Sequence, residues 1–226
     1  MKKIILETTA DGSHTLFVPE LNEHYHSTNG ALQESKLVFI QNGLLHVPAC
    51  VKEINVLEVG FGTGLIALLT VLEAKKERRK INYVAIEPEP VNPQFISQLN
   101  YADVIGGTEA TGYFKKLHEA GWVYPSFLSD YFIINKIQAR LEDVSLRDSQ
   151  FNLVYFDAFG PEVQPELWSD EIFTQLYNCM KPDGILVTYS CKGTVKRALK
   201  VAGFTVEKLP GPAGKREVLR AMKVLG

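Results

Sequence analysis

The sequence predicts an α/β fold built on a mainly parallel β-sheet that closes with an antiparallel pair of strands. An apolar strand that includes Val56 runs into a turn with glycine at 60, 62 and 64, and an apolar helical pattern follows at once. Apolar strand-like runs and helical patterns then alternate along the chain, as they do in βαβ units. The last two strand-like runs flank a segment rich in proline and glycine at 210–216, which predicts a terminal hairpin.

The composition is that of one large domain with a small accessory segment. The chain has 226 residues, of which 46% are hydrophobic and 22% charged. We expect residues 1–50 to form an N-terminal extension that packs on a main domain of residues 51–226.

Three features indicate a cytoplasmic protein. Cys50, Cys179 and Cys191 include no close pair, which suits a reducing compartment and argues against a disulfide framework or a zinc cage. The apolar run at 4–6 is too short for the core of a secretory signal. No other stretch is long and apolar enough to suggest a membrane span.

The N-terminal extension begins with a predicted hairpin. Strand-like runs at 4–8 and 14–18 flank an Asp-Gly turn, and the polar, aromatic segment at 19–27 has no period and is interpreted as a loop. Its two histidines, His24 and His26, lack a third ligand nearby, so no metal site is predicted. A helix is expected at 29–41, and the Asn-Gly pair at 42–43 ends it.

The glycine turn after the first strand of the main domain predicts a cofactor site. Glycine lets the backbone turn sharply and removes the Cβ atoms that would hold a ligand away, while unpaired N–H groups at the helix start face the same space. Counted with Gly60 as the first position, the third glycine, Gly64, is at the fifth position and not at the sixth, so the dinucleotide fingerprint is not met. Glu58 beside the turn repels phosphate and suits a cationic or amino-bearing ligand. A turn without any ligand is the alternative.

Acidic residues follow the next two strands. The strand at 81–86 ends at Glu87, which we expect to accept hydrogen bonds from the ribose hydroxyls of an adenosine cofactor, although a surface acid is the alternative. After the strand at 132–138, Glu142 or Asp143 is a candidate for an adenine amino group, with helix capping as the competing explanation. Helices are expected at 92–99 and 108–119. The apolar segment at 120–129 is interpreted as an insertion that covers the cofactor or the substrate.

The most informative position lies after the buried strand at 153–156. Asp157 and Phe159 come just past its carboxyl end, where open α/β sheets bind their ligands. A carboxylate there is suited to orient an attacking amine and to stabilise the ammonium that forms. Capping of the next helix is the alternative. Further on we expect a strand at 184–190, a helix at 193–202, and the terminal hairpin of 204–208 and 217–222.

The charges are unevenly distributed. The overall net charge is −2, but the segment from Lys181 onward has ten Lys or Arg against three acids, which leaves +7 there and −9 elsewhere. Such a segment is able to form a local phosphate-binding face. A solvated helix face at 192–200 is an equally good explanation of the charge alone.

Five groups of motifs, in order and spread over nearly the whole chain, resemble the MnmC/MnmD methyltransferases of tRNA wobble-uridine modification. They are Asp-Gly-Ser-His-Thr-Leu at 11–16; Glu-His-Tyr-His-Ser at 23–27 with Asn-Gly-Ala-Leu-Gln-Glu-Ser at 29–35 and Val-Phe at 38–39; Glu-Val-Gly-Phe-Gly-Thr-Gly at 58–64; Asp-Ala-Phe-Gly-Pro at 157–161 with Pro-Glu-Leu-Trp at 165–168; and Gly-Phe at 203–204 with Gly-Lys-Arg-Glu-Val-Leu at 214–219.

The resemblance implies a Rossmann-like class I methyltransferase fold, with a mainly parallel seven-stranded sheet and an antiparallel C-terminal hairpin, in the domain of residues 51–226. It implies S-adenosyl-L-methionine as the cofactor and the anticodon stem-loop of tRNA as the partner. The reaction implied is methylation of the aminomethyl amine of 5-aminomethyl(-2-thio)uridine, with a functional link to the enzymes that install that group. Bifunctional members carry an additional FAD-dependent oxidase domain, and since this chain ends at Gly226 it resembles the standalone transferase.

The resemblance also assigns roles to residues of this chain. The expected catalytic residue is Asp157. The expected cofactor contacts are Glu58, Gly60, Gly62, Gly64 and Glu87. The expected substrate contacts are Tyr25, Gln33, Glu34 and Phe159, with Lys215 and Arg216 near the tRNA. Bifunctional relatives place an aspartate where this chain has Arg140, so the adenine contact is expected from Glu142 or Asp143.

Two other classes of function compete with this interpretation. An aminopropyl transferase of the spermidine synthase type also brings an amine to a sulfonium cofactor and carries an acid after its fourth strand. A non-catalytic module that binds the cofactor or RNA is the other alternative.

Overall fold

The computed structural model describes residues 3–224, so the first two residues of the predicted extension and the last two of the predicted main domain lie outside the described residues. The strands are β1 (Ile5–Thr8), β2 (His14–Val18), β3 (Glu23–His24), β4 (Glu53–Val59), β5 (Lys80–Ile86), β6 (Ser126–Ser129), β7 (Phe132–Ile137), β8 (Phe151–Phe156), β9 (Met180–Thr188), β10 (Thr205–Pro210) and β11 (Glu217–Met222). The α-helices are α1 (Ala31–Ser35), α2 (Leu65–Glu77), α3 (Pro93–Ile96), α4 (Tyr101–Ile105), α5 (Thr108–Glu119), α6 (Asp170–Cys179) and α7 (Gly193–Val201).

The main sheet has the strand order β10-β11-β9-β8-β4-β5-β7-β6. The five central strands are parallel, and β11, β10 and β6 run antiparallel to their neighbours. This arrangement confirms the predicted α/β class with a mainly parallel sheet and a C-terminal hairpin. The described residues form eight strands in this sheet and not seven, because β6 adds an antiparallel strand beyond β7.

The extra strand β6 corrects the interpretation of residues 120–129. Its residues pair with β7 at the edge of the sheet, and the exposed ring of Phe127 alternates with the buried side chain of Leu128, as a strand requires. Residues 120–129 lack the clean alternation of polar and apolar residues that identifies a strand from sequence. Residues 120–129 are not among those that line the main cavity described below, and Trp122 packs edge to face on Phe61 of the glycine turn, with ring centres 5.7 Å apart.

The N-terminal extension folds as a three-stranded sheet, β1-β2-β3, followed by a helix. The predicted hairpin is confirmed, but the segment interpreted as a loop contains β3, a two-residue strand paired with β2. The predicted helix at 29–41 is α-helical only in α1 and continues as a π-helix at Lys36–Gln41. Such wide turns interrupt helices most often near functional sites.

Hydrophobic side chains cover both faces of the main sheet. Ile54 and Val56 of β4 belong to the core under α2 and α5, whereas Leu57 and Val59 belong to the core under α6 and α7. Parallel strands that are buried on both faces read as nearly continuous apolar runs, which is why the sequence identified them. The packing holds the carboxyl ends of β4, β5 and β8 at one edge.

The helices agree with the sequence pattern to different degrees. The expected helix at 108–119 is α5, and that expected at 193–202 is α7, whereas the one expected at 92–99 is limited to α3. The amphipathic helix α6 was not predicted, although Ser169 at its start accepts a hydrogen bond from the Ile172 N–H group at 3.3 Å. Within residues 3–224, every helix is too short or too polar to cross a membrane.

Candidate active site

A cavity of about 800 Å³ opens at the carboxyl edge of the main sheet. The strand register explains its position. Val59 pairs with Ile86 on one side and with Phe156 on the other, so the next residues, Gly60, Glu87 and Asp157, meet at one edge. All three line the cavity. Open α/β sheets bind ligands at this edge.

The glycine turn has a backbone that side chains do not tolerate. Gly60, Gly62 and Gly64 have φ values of +91°, +49° and +75°. A Cβ atom on Gly60 would lie 2.6 Å from the carbonyl oxygen of Asp157, and one on Gly62 would lie 3.2 Å from the ring of Tyr25. The turn therefore keeps this conformation and packing only because these positions lack side chains.

Glu87 fixes the glycine turn from the neighbouring strand. Its Oε2 atom accepts a hydrogen bond from the Gly62 N–H group at 3.0 Å, and its Oε1 atom accepts one from the Glu89 N–H group at 2.9 Å. The side chain is buried and borders the cavity. The Glu87 carboxylate thus stabilises the glycine turn. It does so from the strand end where the sequence predicted a partner for the ribose.

Three polar and aromatic side chains from distant segments meet beside Asp157. The Lys215 Nζ atom donates a hydrogen bond to Glu34 Oε1 at 2.5 Å and lies 4.3 Å from the centre of the Tyr189 ring. Burial raises the pKa of Asp157 well above its usual range; the charge of Glu34 adds to this rise, and that of Lys215 opposes it. Asp157 is therefore a carboxyl group with a strengthened affinity for a proton.

Two aromatic rings narrow the cavity next to this cluster. Tyr25 and Phe159 meet edge to face with their centres 5.2 Å apart. The Phe159 N–H group donates to Gln164 Oε1 at 3.0 Å, and its carbonyl oxygen accepts from Trp168 Nε1 at 2.8 Å. These bonds hold the loop after β8, so the ring of Phe159 is presented to the cavity by a fixed backbone.

The structure brings nine of the predicted site residues to the cavity: Tyr25, Glu34, Gly60, Gly62, Glu87, Glu142, Asp157, Phe159 and Lys215. The other five are outside its lining: Gln33, Glu58, Gly64, Asp143 and Arg216. Gln33 and Arg216 have exposed side chains, whereas Glu58 is completely buried under the turn. Gly64 begins α2 in a left-handed conformation and faces His118.

Of the two acids after β7, Glu142 lines the cavity while Asp143 does not. The guanidinium group of Arg140 donates to Glu142 at 2.9 Å and lies 3.7 Å from a carboxylate oxygen of Glu166. The sequence left both Glu142 and Asp143 open as candidates for the adenine contact, and of the two only Glu142 borders the cavity.

The lining also contains residues that the sequence did not single out, above all Tyr189, Glu23 and Glu166. Tyr189 follows β9 directly, so the strand-end argument that identified Asp157 applies to it as well. Seven acids line the cavity against Arg140 and Lys215, an excess of five negative charges with histidine neutral. Such a lining favours a cationic ligand over a phosphate.

A buried hydrogen-bond network ties the N-terminal extension to the glycine turn. The Thr63 Oγ1 atom bonds with His26 Nε2 at 2.7 Å and accepts from the Tyr101 hydroxyl at 3.1 Å. Burial lowers the pKa of His26 to about 4, so this imidazole is neutral at physiological pH. His26 thus has a structural partner.

In residues 3–224, no cluster of three or more His, Cys, Asp or Glu is arranged to hold a metal ion.

Comparison with known proteins agrees with this geometry. A family model described as S-adenosyl-L-methionine-dependent methyltransferase matches residues 131–224, which contain β7 to β11. The bifunctional protein MnmC of tRNA 5-methylaminomethyl-2-thiouridine biosynthesis from Magnetococcus marinus is 28% identical over 92% of this chain. The crystal structure of MNMC2 from Aquifex aeolicus, 23% identical, covers 98% of the chain with a TM-score of 0.76, and the chain covers 70% of that protein.

The chain resembles the MnmC-type methyltransferases in sequence and in fold. Both the family model and this likeness support the predicted class of S-adenosyl-L-methionine-dependent methyltransferase. The chain spans about a third of the MnmC relative, 32% of its length. A probable spermidine synthase from Corynebacterium glutamicum shares the fold more distantly, with 13% identity, a TM-score of 0.51, and coverage of 98% of this chain and 76% of that protein.

Proposed function

We propose that the protein transfers the methyl group of S-adenosyl-L-methionine to the aminomethyl amine of 5-aminomethyl(-2-thio)uridine at the wobble position of tRNA. The observation that carries the proposal is the position of Asp157, which follows β8 and faces the same acid-lined cavity as the glycine turn and Glu34. The MnmC relatives are named for the biosynthesis of 5-methylaminomethyl-2-thiouridine in tRNA, which supports this choice of substrate.

The residues present fit the cofactor. The side-chain-free turn at Gly60 and Gly62 leaves space at the strand ends, and the excess of carboxylates in the lining suits a ligand that carries a sulfonium and an ammonium group. Gly60, Gly62, Glu87 and Glu142 are the residues that we expect to hold it. Glu58 and Asp143 are weaker candidates because neither lines the cavity.

When bound, the cofactor supplies a methyl group already activated by a positive sulfur. The substrate nitrogen would bond to that methyl carbon as the carbon–sulfur bond breaks, and the electron pair of the broken bond would stay on the departing thioether sulfur. The nitrogen also gives up a proton, and Asp157 is placed to accept it. Burial and the charge of Glu34 raise the pKa of Asp157, so it holds a transferred proton more firmly than an exposed aspartate does, while the charge of Lys215 opposes this rise and favours the carboxylate form that accepts the proton. The chain otherwise contributes alignment of the reacting groups in a restricted cavity.

The partner that we propose is the anticodon stem-loop of tRNA, in the cytoplasm. Basic side chains for its phosphates are available near the mouth of the cavity, because the hairpin loop between β10 and β11 lies at the carboxyl edge of the sheet. Arg216 in this loop is exposed, and no ion pair of its side chain is found within residues 3–224. The substrate amine must come from an earlier reaction that installs the aminomethyl group, so we also propose a functional link to the enzymes of that step.

The test combines nucleoside analysis with an Asp157→Ala variant. Wild-type protein, incubated with cofactor and with tRNA bearing 5-aminomethyl-2-thiouridine, is expected to yield the methylaminomethyl nucleoside. The variant is expected to lose at least about 100-fold in kcat, as for loss of a general base, and to bind the cofactor normally in calorimetry. Full activity of the variant would refute the role of Asp157.

Two outcomes of the same assay would favour the other classes. Transfer of an aminopropyl group from the decarboxylated cofactor to putrescine, without activity on tRNA, would show a function of the spermidine synthase type. Binding of cofactor and tRNA without any product would show a non-catalytic module.

A further inference from the structure

The side chain of Lys215 points into the site and not toward the surface on which tRNA is expected to bind. It lines the cavity, bonds to Glu34, and packs over the ring of Tyr189. Its side chain is 31% exposed, and that of Glu34 only 9%. The next residue, Arg216, is exposed outside the cavity. The two members of the predicted basic pair therefore have different surroundings and, we reason, different tasks.

We propose that Lys215 is a positioning residue of the methyl-transfer site: it keeps Glu34 paired and places a fixed positive charge beside Asp157, and it does not contact tRNA phosphates. The inference rests on the proposed function, because it concerns the proton of the amine that is methylated.

Both partners of the Lys215–Glu34 pair are held by hydrogen bonds to backbone groups of neighbouring residues. The Lys215 N–H group donates to the Pro212 carbonyl oxygen at 2.9 Å, and Gly214 packs so closely on Asn29 that a Cβ atom there would collide with the Asn29 amide group. Glu34 Oε2 accepts from the Ser27 N–H group at 3.2 Å. The pair thus joins the C-terminal hairpin loop to α1 in a defined geometry.

The Asp11 carboxylate fixes α1 itself. It accepts hydrogen bonds from the Gln33 N–H group at 2.9 Å and from the Thr9 hydroxyl at 2.8 Å, which anchors the first turn of the helix to the N-terminal hairpin. Gly30 makes this approach possible, since a Cβ atom there would lie 2.8 Å from Asp11 Oδ2. Because α1 is anchored in this way, Glu34 stays in the site.

The charge of Lys215 acts on the reacting groups. The groups that face it are Glu34 from α1, Asp157 after β8 and Tyr189 after β9, and the charge of Glu23 from β3 also acts on Tyr189. A nearby positive charge disfavours the ammonium form of an amine, and only the neutral amine is a nucleophile. Because Glu34 is neutralised by Lys215, Asp157 is the carboxylate that remains to accept the proton.

The test is the pH dependence of methyl transfer in Lys215→Met and Lys215→Arg variants. Lys215→Met removes the positive charge and leaves the Glu34 carboxylate without its cationic partner. Both changes stabilise the substrate ammonium. We expect the rising limb of kcat against pH to move by roughly one unit to higher pH, with kcat near pH 7 lowered about tenfold. KM for tRNA is expected not to rise. Lys215→Arg keeps the charge and is expected to restore the profile.

The matched control is Lys208→Met. Lys208 lies in the same hairpin and is also paired with a glutamate, Glu217, at 2.5 Å, but it is not among the residues that line the cavity. Its substitution is expected to leave the pH profile unchanged. Thermal unfolding of all three variants checks that each is folded.

A second readout does not depend on activity. The carboxyl carbon signal of Asp157, assigned with an Asp157→Asn variant, reports its titration by NMR, and we expect its pKa to rise in Lys215→Met and to stay unchanged in Lys208→Met. An unchanged titration and pH profile in Lys215→Met would overturn the inference. So would a weaker tRNA affinity with a reduced salt dependence, which is the signature of a phosphate contact. Failure of the proposed function is distinct, because the wild-type protein itself would then not methylate tRNA.

Discussion

Two carboxyl groups at neighbouring strand ends, Glu58 and Asp157, have very different surroundings. Asp157 borders the cavity and has Lys215 nearby, whereas Glu58 is completely buried on the α2 side of β4. Neither carboxyl oxygen of Glu58 has a hydrogen-bond partner among residues 3–224. Burial raises the pKa of Glu58 well above its usual range and the charges of Asp157 and Glu87 add to this, while the neighbouring Tyr83 hydroxyl opposes it without completing a hydrogen bond. We infer that Glu58 is a neutral acid beneath the turn at moderate pH.

A pH-dependent stability follows from the neutral state of Glu58. In the unfolded chain the group ionises near its ordinary pKa, whereas the folded chain keeps the proton, so wild-type stability falls as pH rises from that value toward the raised folded pKa. Glu58→Gln removes this contribution. We expect the free energy of unfolding of the variant, minus that of the wild type, to grow with pH between 5 and 8 by up to about 1.4 kcal/mol per pH unit.

Urea denaturation at pH 5, 6.5 and 8 measures this difference. Glu53→Gln is the matched control, since Glu53 is exposed at the start of the same strand. A difference between Glu58→Gln and wild type that stays constant over this range would show that Glu58 is already ionised in the fold. Calorimetry on the same variant tests the predicted cofactor contact: a large loss of cofactor affinity would support it, in spite of the buried position.

At the scale of elements, the glycine turn between β4 and α2 organises the site. Its backbone is held by hydrogen bonds from both sides: the Gly60 N–H group donates to the Ile86 carbonyl oxygen at 2.9 Å, and the Gly62 N–H group donates to Glu87. The turn also passes within van der Waals reach of the loop after β8, since only hydrogen atoms separate Gly60 from the Asp157 backbone. A change in the turn is therefore transmitted directly to the proposed catalytic aspartate.

Gly60→Ala tests this close approach. The new Cβ atom would lie 2.6 Å from the Asp157 carbonyl oxygen, and the φ of +91° is strained for alanine. We expect the free energy of unfolding to fall by about 1–3 kcal/mol and cofactor affinity to fall with it. Gly112→Ala is the control, because Gly112 lies exposed within α5 with no atom near its missing Cβ. There alanine is expected to add up to about 1 kcal/mol of stability. Equal stability of Gly60→Ala and wild type would contradict the argument.

At the scale of the whole molecule, opposite charges are separated. The cavity carries an excess of acids, while the C-terminal quarter of the chain carries an excess of basic residues. Many of these cations are already engaged: Lys192 pairs with Glu162, Lys208 with Glu217, and Arg220 with Glu207. This pairing reduces the predicted phosphate-binding face to fewer side chains, of which Arg216 is nearest in sequence to the cavity-lining Lys215.

Arg216→Glu tests the contact with tRNA. We expect the variant to bind tRNA more weakly, with the slope of log affinity against log salt reduced by about one, and to bind the cofactor as the wild type does. Arg147→Glu is the control, since Arg147 is exposed before the amino end of β8, at the opposite edge of the sheet. Filter binding of tRNA at several salt concentrations measures both. An equal effect of the two variants would show only a general influence of net charge.

The sequence by itself determined the α/β class, the strand ends, and the acids that follow them. Apolar strands and left-handed glycines are local signals, and parallel strands bring Gly60, Glu87 and Asp157 to one edge whatever else the chain does. The tertiary structure alone decided where side chains point and which distant segments meet. Lys215 and Glu34 are 181 positions apart, so no local pattern predicts their pairing. The burial of Glu58, the edge strand β6 and the π-helix after α1 were likewise decided by packing, because burial and pairing depend on neighbours from elsewhere in the chain.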